Sequence, residues 1–223
     1  MSTAASTYLL RLRLPDRPGV LGAVATALGS TGADIDSIAV VDQVGGFAVD
    51  DLVISLPVGA LVDRLVSAAS SVPGVVVESV QRHHSRRRMH DDLELLDAAA
   101  SAPNPVQLLV SGLPELLHAS YAFVAAREGD AVRLVASSSA APSAPMRDGW
   151  CPPQVAGEVK AAELWADPGV AGPDCDLVAI GLERGAAIVV GRIGGPAFRP
   201  AEMTRLSHLC RIAQALFAAP NPT

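Results

Sequence analysis

Along the first eighty residues the apolar positions switch between a period of two and a period of about 3.6. In TYLLRLRL, Arg11 and Arg13 interrupt Leu10, Leu12 and Leu14, an alternation that predicts a half-buried strand. Val20, Leu21, Val24, Ala25 and Leu28 then recur at helical spacing, predicting a helix over roughly 18–30. Pro18 suits its first turn, and Gly29 or Gly32 supplies a left-handed stop. IDSIAVV (35–41) reads as a second strand, and Gly45-Gly46 as the tight turn before a third, FAVDDLVISL. Val58, Leu61, Val62, Leu65, Val66 and Ala69 mark a second helix, Pro73-Gly74 ends it, and VVVESV makes a fourth strand. This βαββαβ order predicts the ferredoxin-like split βαβ motif, with two helices over one face of a four-stranded antiparallel sheet.

The second half changes pattern. DDLELLDAAASA predicts a helix with Asp91 and Asp92 at its start and Pro103 at its end. Asn104-Pro105 opens another, with Val106, Leu109, Val110, Leu113, Leu116 and Leu117 on its buried face and Pro114 expected to kink or divide it. YAFVAARE and AVRLVASSS form a strand pair turning at Gly129-Asp130, followed by a long loop at 139–153. VAGEVKAAELWA predicts a short helix, DLVAIGLE and AAIVVGRIG a second hairpin, and RPAEMTRLSHLCRIAQALF a terminal helix. Helices bracketing two strand pairs predict one central antiparallel sheet with the terminal helices packed on one face.

Composition sharpens this picture. At 223 residues, half of them apolar, the chain has material for two small cores. The resulting expectation is an α+β protein with domains at 1–82 and 92–219 and a linker at 83–91. Glu183 and Arg184 break the most hydrophobic stretch, and MSTAASTYLL lacks a basic segment ahead of an apolar one. Neither a membrane span nor a signal peptide is expected. The three cysteines, without paired spacing, fit thiols in the cytoplasm.

A net charge of −6 argues against a nucleic-acid surface. The basic charge is concentrated in RHHSRRRMH (82–90), with four arginines and three histidines between two acidic lobes. That block reads as a solvated linker, with a partner or phosphate patch as the sharper alternative. His83, His84 and His90 lack the arranged fourth ligand of a structural zinc site. No metal and no cofactor are expected.

Asp16-Arg17-Pro18-Gly19-Val20-Leu21, followed by Gly32-Ala33-Asp34-Ile35 at the second strand, resembles the ACT domain, an amino-acid-sensing module attached to many metabolic enzymes. The resemblance spans residues 6–82 and implies a small-molecule ligand at the turn and pairing into a homodimer. The first amides of a helix lack intrahelical acceptors and sit at the positive end of its dipole, so Gly19, Val20 and Leu21 can hold a carboxylate. The candidate ligand-binding residues are Asp16, Arg17, Pro18, Gly19, Val20, Leu21, Asp34 and Ile35. Ionised Asp16 and Asp34 accept hydrogen bonds and suit an ammonium group, where members that bind small amino acids often carry asparagine. The plainer alternative has Asp16 capping the helix and Asp34 merely opening the strand.

Leu116-Leu117-His118-Ala119-Ser120 before a strand, and GGPAFRPAEMTRLSHLCRIAQAL after one, resemble a GAF domain over residues 92–218. That implies a GAF/PAS-like α/β lobe whose pocket is roofed by residues 139–172. No cyclic-nucleotide signature or bilin attachment motif accompanies it. G-x-S-x-G, H-E-x-x-H, Walker and G-x-G-x-x-G motifs are absent from the sequence.

The thiols offer one enzymatic alternative, since some GAF-like domains reduce methionine sulfoxide with cysteine. Cys151 lies on the loop and Cys175 before a strand, while Cys210 sits on an apolar stripe. Asp174 and Asp176 beside Cys175 oppose thiolate formation. Cys151-Pro152 is too short a match to support haem binding. Trp150 and Trp165 are expected in the core. The expected whole is a non-catalytic sensor that acts through a protein partner, the structural alternative being a dimeric scaffold without ligand.

Overall fold

The computed structural model describes residues 6–82 and 91–218. The chain divides into two compact units, Met1–Arg88 and Met89–Thr223. The basic linker, including all three of its histidines, lies outside the described residues apart from its flanks at Arg82 and Asp91.

The first unit runs β1 (Ser6–Pro15), α1 (Val20–Gly29), β2 (Asp34–Val44), β3 (Phe47–Leu56), α2 (Val62–Ser70) and β4 (Val76–Arg82). The antiparallel sheet has the order β2-β3-β1-β4. β1 and β3 pair without interruption from Ser6↔Leu56 to Pro15↔Phe47. Side chains on one face follow the even numbers, so Leu10, Leu12 and Leu14 meet Leu52, Ala48, Ile54 and Leu56 beneath Val20, Val24 and Leu28 of α1 and Leu65 and Ala69 of α2. β2 is an edge strand with register shifts at Ile35/Ser37 and Val40/Asp42. Gly45 and Gly46 take φ of 60° and 78°, the left-handed values a two-residue hairpin requires.

Two expectations for this unit change. Helix α1 starts at Val20 because Gly19, at φ 90°, is its N-cap, which leaves Pro18 in the preceding turn. β1 is buried on both faces at its centre: Arg11 is only 2% exposed and donates from Nε and Nη2 to the two carboxylate oxygens of Asp51, each at 2.7 Å. A cross-strand partner, directly opposite in the register, makes that burial tolerable.

The second unit comprises α3 (Asp91–Ala100), α4 (Pro105–Leu116), β5 (Tyr121–Glu128), β6 (Ala131–Ser137), β7 (Gly157–Glu158), α5 (Ala161–Leu164), β8 (Cys175–Gly181), β9 (Ala186–Ile193) and α6 (Pro200–Ala218). Its antiparallel sheet has the order β6-β5-β9-β8-β7. One face carries Ala122, Val124, Val178, Ile180, Ile188 and Val190 against the apolar sides of α3, α4 and α6. Asn104 caps α4 by accepting the Gln107 amide at 3.2 Å. Pro114 does not divide α4; the helix continues to Leu116, and the proline stands in its last turn. The predicted short helix after 155 is instead the two-residue β7 followed by four-residue α5.

The start of α6 is held from the sheet. Arg192 donates to Glu202 Oε1 at 2.7 Å and to the Leu117 and Pro196 carbonyls at 2.7 and 3.0 Å, with its guanidinium over the Phe198 ring. Glu202 Oε2 in turn accepts the Arg199 amide at 2.9 Å. Both ions are buried and multiply satisfied, the condition under which such a pair is stable.

Candidate functional site

The turn between β1 and α1 is shaped by three backbone facts. The Asp16 amide donates to the Gly46 carbonyl at 2.9 Å, tying the turn to the β2–β3 hairpin. The Arg17 amide folds back on Pro15 at 2.9 Å, and Gly19 turns left-handed. A side chain at residue 19 would be conformationally strained, although no atom lies within 4 Å of a Cβ placed there. Asp16, Arg17, Pro18 and Gly19 are therefore exposed at the mouth of α1.

Asp16 makes no capping hydrogen bond to the helix. The Val20 amide reaches the Arg17 carbonyl only at 3.5 Å, whereas the amides of Gly19 and Leu21 have no acceptor among the described residues. These amides point the positive end of a ten-residue helix at solvent. Leu21 is half-buried and Val20 contributes its side chain to the core.

Asp34 and Ile35 stand elsewhere. Asp34 pairs with Ser55 and Ile35 with Ile54, at the end of the sheet opposite the Pro15↔Phe47 pair. Eight strand residues separate those ends, roughly 26 Å at strand rise. One copy of the unit thus cannot gather Asp16 and Asp34 around a single small molecule. The cause is topological: α1 carries the chain back down the sheet before β2 begins. Asp34 is exposed, and its neighbour Asp36 accepts the Ser55 hydroxyl at 2.6 Å.

A residue not anticipated among the candidates lies below the turn. Asp50 of β3 is buried, and its Oδ1 has no hydrogen-bond partner. Burial first, then the charges of Asp51 and Asp16, push its carboxyl above the usual carboxylate range. The signal was available in the sequence: two adjacent aspartates inside FAVDDLVISL must send one carboxyl to each face of the sheet. Arg11 answers one of them.

In the second unit, the sheet face away from α3, α4 and α6 is covered by residues from 141 to 171. Trp150, Leu164, Trp165 and Ala171 pack there on Tyr121, Phe123, Ala125, Leu177, Ala179, Ala187 and Val189. Both tryptophans are buried. The Tyr121 hydroxyl donates to the Ala171 carbonyl at 3.1 Å and lies 3.4 Å from Cys175 Sγ; burial pushes both groups up. Asp176 pushes the Cys175 thiol in the same direction. Cys210 is buried, its thiol raised to about 12 by desolvation. Cys151 is exposed and accepts from Arg127 Nη1 at 3.2 Å.

Among the described residues, no group of three or more His, Cys, Asp and Glu side chains is arranged to hold a metal ion. No helix there is long and apolar enough to cross a membrane.

Comparison with known proteins bears on the first unit above all. The ACT domain family model matches residues 8–69, less than a third of the chain. No curated protein is matched by the sequence. Solved structures similar to the chain include a formyltetrahydrofolate deformylase from Pseudomonas putida KT2440, at 13% identity and a TM-score of 0.28. That match covers 40% of this chain and 36% of the deformylase, so the chain spans little more than a third of that protein. The nlh2 gaf domain of A. aeolicus in an inactive state is similar at 13% identity and a TM-score of 0.39, over 57% of this chain and 93% of that one. A candidate glycine cleavage system transcriptional repressor is similar at 9% identity and a TM-score of 0.32, over 94% and 93% of the two chains. With its βαββαβ order, four-stranded antiparallel sheet and exposed β1–α1 turn, the N-terminal unit is an ACT-type module.

Proposed function

We propose that this chain is a regulatory protein whose first unit binds an amino acid or a closely related metabolite at the β1–α1 turn. The observation that carries this reading is the mouth of α1: a left-handed Gly19, amides at Gly19 and Leu21 without acceptors, and exposed Asp16 beside them. A carboxylate fits the amides by hydrogen bonding and by the helix dipole, and an ammonium group fits the aspartate. The match to the ACT domain model over the same residues supports the assignment.

Asp34 joins this site only through a second copy of the unit, since one copy holds it at the far end of the sheet. A homodimer is therefore part of the proposal. The second unit serves as readout or protein-docking module, and its aromatic-filled sheet face leaves the ligand role to the first. Titration calorimetry of the full chain against the twenty amino acids tests the reading. Saturable heat from at least one, lost in Gly19→Val, is the expected result; no heat from any of them overturns it. Light scattering at tens of micromolar is expected to give twice the mass of the chain, 22.9 kDa.

A further inference from the structure

Among the described residues, Asp50 Oδ1 is the one buried side-chain nitrogen or oxygen without a hydrogen-bond partner. Strand parity sets its direction. Ala48, Leu52, Ile54 and Leu56 of β3 all enter the core under the helices, and Asp50 shares their face, directly opposite Leu12 of β1. It stands two residues along β3 from Ala48, the partner of Leu14, and four from Gly46, whose carbonyl holds the Asp16 amide. The charge of Asp16, on the turn that presents the Gly19 and Leu21 amides, acts on the Asp50 carboxyl.

Nothing among the described residues answers this group. The buried residues of α1 are Val20, Val24 and Leu28, and the helix sequence VLGAVATALG contains no ionisable side chain. Arg11 is committed to Asp51 on the opposite face. An ionised carboxylate buried without a partner is strongly unfavourable, while an aliphatic residue would continue the pattern of its neighbours. The position is therefore a liability to the unliganded fold, and a cation entering from the turn would remove it.

Building on the turn-binding reading above, we propose that Asp50 is the acceptor for the ligand's ammonium group, so that the site selects primary amines that also carry a carboxylate. The carboxylate lies on the Gly19 and Leu21 amides and the ammonium reaches inward to Asp50. Anions without an amine are rejected by two carboxyls, Asp16 and Asp50.

The test compares wild type, Asp50→Asn, Asp50→Leu and Asp16→Asn, all as full chains. Calorimetry uses each of the twenty L-amino acids, then the N-acetyl derivative of every one that binds. The expected result is that acetylation abolishes binding and that both Asp50 variants weaken it by about tenfold or more, the loss typical of a charge-assisted hydrogen bond. Asp50→Leu without ligand is expected to melt above wild type, which also covers the case in which Asp50→Asn does not fold. Binding by the Asp50 variants within about twofold of wild type overturns the inference and leaves the turn reading standing. So does an Asp50→Leu chain that melts below wild type. Failure of every amino acid to bind wild type removes the turn reading, and this inference with it.

Discussion

Replacing Arg11 with methionine should unfold the first unit while sparing the second. The substitution keeps most of the side-chain volume but leaves Asp51 buried with its charge unanswered, one residue from a second buried carboxyl at Asp50. Breaking a buried pair from one side costs about 3–5 kcal/mol. A domain of about 80 residues has roughly 4–12 kcal/mol in total, so the loss consumes a large part of it. The corresponding drop in Tm is roughly 12 °C or more.

Far-UV circular dichroism in a urea series reads both units. Tryptophan emission reads only the second, because Trp150 and Trp165 both belong to it. The expected outcome is an early loss of ellipticity with the fluorescence midpoint unmoved. Arg11→Met combined with Asp51→Leu removes both ions and should return the first transition to within about 1 kcal/mol of wild type or above it. A single-variant loss below about 1 kcal/mol, or a double variant no better than the single, would refute the reasoning.

Four further outcomes follow from the packing. Gly181→Ala places a Cβ against the backbone carbonyl oxygen of Pro153, which cannot rotate away, and should lower the stability of the second unit by about 1–3 kcal/mol in a chemical melt. Asn104→Ala removes the acceptor for the Gln107 amide and should cost about 1 kcal/mol in the same measurement. The Cys210 thiol ionises near 9.0 when unfolded and at about 12 when folded. The unfolded chain therefore sheds this proton first, and stability falls by about 1.4 kcal/mol per pH unit as pH rises through that window. Cys210→Val should flatten that part of the alkaline limb. Native tryptophan emission should be blue-shifted and resist acrylamide, and emission at the wavelength of free tryptophan would contradict the burial of Trp150 and Trp165.

The order of elements was legible because each long segment kept one period. FAVDDLVISL and the residues from Val20 to Leu28 could be placed to within a few positions, and the Gly45-Gly46 turn was found from its residues alone. Departures came where tertiary partners override local pattern. Arg11 looked like the outward half of an alternation until Asp51, forty residues away, supplied its partner. Residues 155–166 read as a helix, yet Gly157–Glu158 is captured by the edge of β8. The turn itself was recognisable from Asp16 to Leu21, whereas the distance between the turn and Asp34 within one copy follows from the direction of travel through α1, which no local pattern displays. Asp50 is hard to single out in sequence because it sits inside the apolar strand FAVDDLVISL, whose pattern signals burial and not a missing partner.

The free edge at β2 sets how safely this molecule can be concentrated. The outer edge of this eleven-residue strand, without a strand partner among the described residues, could template further strands, the usual first step toward fibres. Two bulges spoil the straight ladder such growth needs, and Asp34, Asp36 and Asp42 add like charge to any copy approaching in register. Strand addition is thereby discouraged even though Val40 and Val44 leave apolar side chains in water along the same edge. Resistance to strand addition at this edge rests on irregularity and negative charge.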